Sequence, residues 1–226
     1  MSRVIRTCAL KGLLCLFATF PLWTLPLWSN AADAVAAELP DESRLLQAMR
    51  QGGVAVLIRH AATEPGVGDP PGFELTDCAT QRNLSNAGRA QARRLGEWFK
   101  SHGIVPTSVR ASPWCRTRET ATLAFGRSED WPPLSNLFGD RSHQGDQARQ
   151  VRSAIANVGS GSTEVLVSHG VSINAFIGVY LSQGEFVVVR PSGADGAGGV
   201  EGGRRASMGA SVDAPGVDVL GRLLIP

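Results

Sequence analysis

Five consecutive apolar residues, Val54-Ala55-Val56-Leu57-Ile58, run straight into Arg59-His60. An apolar run of that length without polar alternation predicts a strand covered on both faces, which is the habit of an α/β sheet. Such sheets bind ligands outside the carboxyl ends of their strands, so the cation and the imidazole stand where chemistry is done. The run Val165-Leu166-Val167-Ser168 repeats the pattern and ends in His169-Gly170, followed by helical spacing. Two strand-end histidines predict one shared site.

The rest of the chain supports a sheet flanked by helices. Leu45, Leu46 and Met49 have helical spacing, and Gly52-Gly53 stops them. Residues 61–85 are rich in Gly, Pro, Asp and Thr and predict a long functional loop. A helix is expected from Ser85 to His102, with Ser85 or Asn86 as its cap and Ala87, Ala90, Leu95, Trp98 and Phe99 on its apolar face. Val109 to Ser112 predicts a short strand, and Ser112-Pro113 reads as a cap with proline at the first helical position, opening a helix to Phe125. Residues 126–145 read as irregular, 146–158 as helix, 171–181 as helix, and 186–190 as strand. Residues 192–215, dominated by Gly, Ala and Ser with Arg204-Arg205, read as a flexible insertion. Val217 to Ile225 is expected to pair back with 186–190 as a hairpin. This order predicts a three-layer α/β/α sandwich around a mostly parallel sheet.

The amino terminus constrains location. Arg3, Arg6 and Lys11 precede an apolar stretch from Gly12 to Trp28 and then small residues, the pattern of a secretory signal over residues 1–36. Ala34-Val35-Ala36 or Ala32-Asp33-Ala34 fits the cleavage site. An uncleaved anchor is the alternative, weakened by Pro21 and Pro26. The domain is then 37–226, and the expected location is periplasmic or secreted, with membrane contact only through an uncleaved signal. Removing Arg3, Arg6, Lys11 and Asp33 turns 22 basic and 20 acidic residues into 19 and 19, so no nucleic-acid footprint remains. Cys78 and Cys115 are the cysteines left outside the signal. In an oxidising compartment they invite a disulfide, with two separate buried thiols as the alternative.

Arg59-His60, Arg116 near the start of its helix, and His169 before another helix are all suited to an anion. Helix N-termini offer unpaired N–H groups, and arginine offers a planar fork for phosphate oxygens. No Cys-x-x-Cys or His-x-x-x-His spacing exists, and two histidines without a carboxylate at ligand spacing make a poor zinc site. No metal or cofactor is expected.

Four ordered motifs carry a family resemblance. Arg59-His60-Ala61-Ala62-Thr63-Glu64 resembles the Arg-His-Gly/Ala signature of the histidine phosphatase superfamily, which contains the phosphoglycerate mutases and histidine acid phosphatases. Arg82-Asn83-Leu84-Ser85 through Ala92, Ser112-Pro113-Trp114-Cys115-Arg116 through Ala121, and Val167-Ser168-His169-Gly170 follow in the expected order. The surroundings of Cys78 and Trp114-Cys115 resemble small secreted bacterial members. The resemblance implies a phosphoglycerate mutase-like fold, with His60 as a nucleophile that forms a phosphohistidine. Arg59, Arg116 and His169 would surround the phosphoryl oxygens, and Thr63 would donate to the same phosphate. Arg82 and His143 are further candidates for substrate contact.

The departure from the family concerns the acid that protonates the leaving oxygen. Mutase-like members place a Glu after the second motif helix, where Pro133 to Phe138 has none. Acid-phosphatase members place an Asp after the second histidine, where this chain has Gly170. Asp140 is the nearest candidate, Glu64 the next, and a good leaving group needs neither. The expectation is an exported, metal-independent phosphomonoesterase acting on a small phosphorylated substrate or envelope phosphosugar. A mutase-like phosphotransferase and a phosphate-binding envelope protein with little turnover remain alternatives.

Overall fold

The computed structural model describes residues 42–193 and 216–225, all within the compact unit Pro40–Pro226. The expected signal segment, residues 1–36, and most of the expected insertion, residues 192–215, lie outside the described residues.

The described chain alternates helices and strands: α1 (Glu42–Gln51), β1 (Val54–Arg59), α2 (Asn86–Ser101), β2 (Ser108–Ala111), α3 (Cys115–Phe125), β3 (Glu129–Asp130), α4 (Gln144–Ala156), β4 (Thr163–Ser168), α5 (Gly170–Ile177), β5 (Glu185–Pro191) and β6 (Val217–Leu224). Single 3-10 turns occur at Cys78–Thr80 and Pro132–Leu134. The strands form one sheet in the order β3-β2-β4-β1-β5-β6. β1, β2, β3 and β4 pair in parallel, while β5 runs antiparallel to both β1 and β6. This is the expected mostly parallel sheet closed by a hairpin.

Alternation along the central strands divides the core into two layers. Val54, Val56 and Ile58 of β1 face one side with Val165 and Val167 of β4, where they pack with Leu95 and Phe99 of α2. Ala55, Leu57 and Leu166 face the other side and meet Val151 and Ile155 of α4 and Phe176 of α5. Both faces are covered, which is why these strands carry continuous apolar runs rather than alternating ones.

Several boundaries differ from expectation. The third helix starts at Cys115 with Trp114 as its N-cap, not at Ser112-Pro113. Ser112 is not free to cap it, because its hydroxyl meets His169. The fifth helix runs Gly170–Ile177 rather than 171–181, ending where Gly178 adopts a left-handed φ of 74°. Residues 129 and 130 form an unexpected two-residue strand beside β2. The fourth helix begins two residues early, at Gln144.

The second helix is capped by Ser85, whose hydroxyl accepts from Gly88 N at 3.0 Å. Ala87 is exposed instead of facing the core. Gly88 faces inward because a Cβ there would come within 1.8 Å of the Ala62 carbonyl oxygen. That close approach seats the helix against the loop leaving β1.

Candidate active site

Parallel pairing brings the two histidines together. Arg59 sits opposite Ser168 in the β1/β4 register, so the next residues of both strands, His60 and His169, emerge side by side. His60 N donates to Ser168 O at 3.0 Å, and the imidazole centroids lie 5.4 Å apart. β2 flanks β4 on its other side, and Ser112 N donates to Val167 O at 2.9 Å. Three adjacent strand ends therefore deliver His60, Ser112 and His169 to one place.

His60 is 3% exposed, and its Nδ1 lies 2.9 Å from the Ala61 carbonyl. A carbonyl can only accept, so Nδ1 carries the hydrogen and the neutral ring keeps its lone pair on Nε2. Burial, followed by the charges of Arg116, Arg59 and Arg82, pulls the His60 pKa down to about 3. The Ala61 hydrogen bond opposes this without reversing it. The imidazole is thus unprotonated at neutral pH, with the Nε2 lone pair available. His169 is likewise pushed well below its usual value, first by burial and then by Arg116, His60, Arg59 and Arg82. Its Nε2 lies 2.8 Å from Ser112 Oγ. With the hydroxyl donating to Nε2, Nδ1–H is left as a donor.

The loop after β1 is pinned from two helices. Ala61 N donates to Thr120 Oγ1 of α3 at 3.0 Å, and Ala62 N donates to Gln91 Oε1 of α2 at 3.0 Å. Gln91 Nε2 in turn donates to Gln183 O at 3.0 Å. A disulfide joins Cys78 of the long loop to Cys115, the residue before Arg116.

The arginines converge on the same point. Arg116 is 2% exposed, and its Nη1 and Nη2 donate to the two carboxylate oxygens of Asp69 at 2.6 and 3.2 Å. This end-on pairing occupies one edge of the guanidinium and leaves the side edge, the Nε–H and the second Nη2–H, as another fork. Asp69 also accepts from Trp114 Nε1 at 3.1 Å and from Arg82 N at 3.0 Å. Burial alone would raise its carboxyl, but these hydrogen bonds and the Arg116 charge outweigh burial and hold it below the usual range. Asp69 is therefore an ionised brace rather than a proton donor. Arg59 Nη1 donates to Leu181 O at 2.8 Å, a carbonyl available because α5 stops before it.

Arg59 Nε, Arg82 Nε, Arg116 Nε and His169 Nδ1 are buried without a hydrogen-bond partner. A buried donor left unpaired costs about 1–3 kcal/mol, more when charged, so orphans rarely cluster without a reason. A tetrahedral anion in front of His60 Nε2 would satisfy such a set. Three guanidinium groups already supply the positive charge that a phosphoryl group needs.

The remaining candidates lie farther out or in other roles. Thr63 Oγ1 accepts from Gln183 Nε2 at 3.1 Å. Asp140 and His143 line a separate cavity with Trp114. Asp140 is exposed, and hydrogen bonds from Ser142, followed by the charge of His143, lower its pKa. Glu64 is exposed, its amide donating to Asn83 O at 3.1 Å. At Gly170, where an acid would replace the glycine, a Cβ would sit 3.2 Å from the Arg59 guanidinium. Arginine packing occupies the position that an aspartate would need.

Sequence reasoning missed Asp69, the Ser112 contact with His169, and the Trp114 wall. A lone Asp in the Gly66-Val67-Gly68-Asp69-Pro70 turn reads as a loop residue, and nothing local reveals its partner 47 positions away.

Residues 55–137 match the histidine phosphatase superfamily (branch 1). No curated protein matches the chain. Among solved structures, the open reading frame Rv3214 of Mycobacterium tuberculosis is 17% identical with a TM-score of 0.48, covering 62% of this chain and 92% of its own. Phosphoserine phosphatase of Entamoeba histolytica, in complex with 3-phosphoglyceric acid, is 16% identical with a TM-score of 0.44, covering 60% and 89%. A mycobacterial glucosyl-3-phosphoglycerate phosphatase is 15% identical with a TM-score of 0.46, covering 62% and 93%.

Proposed function

We propose that this chain, whose residues 55–137 match the histidine phosphatase superfamily (branch 1), is a phosphatase of that type that hydrolyses small phosphomonoesters through a phosphohistidine, without a metal. One observation carries this reading: Arg59, Arg82, Arg116 and His169, each with a buried nitrogen lacking a partner, act on or adjoin an imidazole whose tautomer leaves Nε2 free.

His60 Nε2 attacks phosphorus, the bond from phosphorus to the alcohol oxygen breaks, and the alcohol departs with that electron pair. Arg59, Arg82, Arg116 and His169 hold the phosphoryl oxygens and oppose the charge that develops on them, each donor worth about 3–4 kcal/mol by analogy with oxyanion holes. Water then attacks the same phosphorus, the nitrogen–phosphorus bond breaks, and phosphate leaves with His60 restored. With Asp140 ionised and a glycine after His169, the departing oxygen takes its proton from solvent. Esters of acidic alcohols should therefore react fastest.

Hydrolysis of para-nitrophenyl phosphate in chelator, together with rapid-quench trapping of acid-labile phosphoenzyme, tests the reading. Activity and trapped label in the wild type, both lost in His60→Ala, are expected. Equal rates for the two proteins would end it.

The reading extends to an exported protein acting on periplasmic or extracellular phosphomonoesters, an envelope phosphosugar among them. The basic, apolar and small-residue order of residues 1–36 and the Cys78–Cys115 bridge support export. Amino-terminal sequencing of cell-fractionated protein should find a start near Ala37, and intact protein in the cytoplasm would refute export.

A further inference from the structure

The bridge between Cys78 and Cys115 has two unequal ends. Cys78 lies in the 3-10 turn of the loop after β1 and is exposed, whereas Cys115 opens α3 and is 6% exposed. An incoming thiolate therefore reaches one sulfur and not the other. The buried sulfur has the better surroundings for a negative charge. Arg118 Nη2 lies 3.2 Å from Cys115 Sγ and 3.9 Å from Cys78 Sγ. Arg118 Nη1 meets Asp130 at 3.4 Å in a pairing open to solvent, which leaves Nη2 to the sulfurs. The first turn of α3 adds the positive end of the helix dipole. A cation beside a thiol lowers its pKa, and the thiol of lower pKa leaves a disulfide faster.

We propose that this disulfide is a modification site for small thiols, with Cys78 as the sulfur that is attacked and Cys115 as the sulfur that leaves. The thiolate of the small thiol bonds to Cys78 Sγ, the Cys78–Cys115 bond breaks, and Cys115 departs with that electron pair as a thiolate beside Arg118. One disulfide is exchanged for another, so the thiol is the single co-reactant. When free thiol is removed, the Cys115 thiolate attacks Cys78 Sγ, expels the small thiolate and closes the bridge again. The exchange is linked to the phosphoryl site by short steps. Cys115 N donates to Gln81 Oε1 at 3.0 Å, and Gln81 Nε2 donates to Glu74 O and Leu75 O at 2.9 and 3.1 Å. Arg82 and Arg116 follow Gln81 and Cys115 directly in the chain, and both act on His60. An adduct on Cys78 adds atoms where the loop meets α3 and loosens the segment that carries Asp69 and Arg82. Turnover falls while His60 itself is untouched.

The test treats the full chain with 2-mercaptoethanol, an uncharged thiol, quenches with iodoacetamide and locates both labels by peptide mass spectrometry. The mercaptoethanol adduct should fall on Cys78 and the alkyl group on Cys115. The reverse placement, or an even division between the two, would overturn the proposal. Arg118→Ala should slow the exchange about fivefold, and Arg118→Lys should restore most of the rate by returning the charge. Equal rates in all three proteins would overturn the role of Arg118. Turnover of para-nitrophenyl phosphate should fall about threefold or more in fully exchanged protein, as misplaced site groups predict, and recover when the thiol is dialysed away. Full turnover in exchanged protein would overturn the link to the site. The labels are read without turnover, so a chain that hydrolyses no ester would refute the phosphatase reading while the labels alone decide the site of modification.

Discussion

The phosphoryl end of the molecule and the cavity beyond Trp114 are made of different material. The phosphoryl end stands on the last residues of three adjacent parallel strands and the first turn of α3, and its side chains are nearly sealed, His60 at 3% and Arg116 at 2% exposure. The cavity is walled in part by the irregular segments after β1 and after β3, and Phe138 there is 52% exposed. Reacting groups must be held to about half an ångström, which hydrogen-bonded ladders achieve and loops seldom do. The difference teaches that strand ends seal and fix side chains while loops leave them exposed. Changes at the first end should lower turnover of every substrate, and changes at the second should reorder substrates.

His60→Ala is expected to have the largest effect, a loss of about 10⁴-fold or more in kcat for every ester, by analogy with removal of covalent nucleophiles elsewhere. Steady-state kinetics on several esters would check it. A loss confined to one ester would break the division.

Asp69→Ala comes next. It leaves Arg116 buried without its counter-charge, a change that costs about 3–5 kcal/mol when one partner of a buried pair is removed. It also frees the clamp to turn, so kcat should fall about 10²-fold. Urea unfolding and para-nitrophenyl phosphate turnover report the two effects, and normal values in both would show that Asp69 does not brace the site.

Opening the disulfide by Cys78→Ala with Cys115→Ala should cost about 3–4 kcal/mol, given a separation of 37 residues. Thermal unfolding of the oxidised wild type against the double variant measures it. The Cys115 end adjoins Arg116, so kcat should drop more than substrate preference shifts.

Acidity offers a fourth test. His60 has a folded pKa of about 3, below the unfolded value of about 6.5. The unfolded chain therefore binds the extra proton first, and the stability present above about pH 6.5 is lost as pH falls toward 3. Removing the imidazole in His60→Ala should flatten part of that slope in urea titrations between pH 7 and 4. In the same window, kcat/KM corrected for the ester's own ionisation should show no fall near pH 6.5, because free His60 is still neutral there.

The smallest effect is expected at the rim. Phe138→Ala should raise KM for aryl phosphates about fivefold, equivalent to about 1 kcal/mol of lost contact, and should change kcat far less. A larger drop in kcat than in affinity would place Phe138 with the chemistry and blur the contrast.

Much of the phosphoryl end was legible from residues alone because its signals are local. Apolar runs ending in Arg59-His60 and His169 mark buried strands and their ends. The helix after β2 was legible too, but its start was misplaced by two residues, since Ser112 serves His169 rather than its own helix. β3 carries only Glu129 and Asp130, both exposed, and its pairing with β2 leaves no trace in their hydrophobicity. Asp140 is the nearest acid by position in the chain, which carries no trace of the Ser142 hydrogen bonds that lower its pKa.

The sequence by itself determined the layered class, the two strand-end histidines and the anion-binding character of the site, because strand periodicity, helix caps and residue chemistry act over a few neighbouring positions. Tertiary structure alone decided that His60 and His169 stand side by side, through the β1/β4 register, and that Asp69 locks Arg116 from 47 residues away. It also decided that the cavity beyond Trp114 brings Phe73, Phe138, Asp140 and His143 together. Those outcomes depend on which distant segments share a low-dielectric space, where an unpaired charge is costly and a partner must be found across the fold.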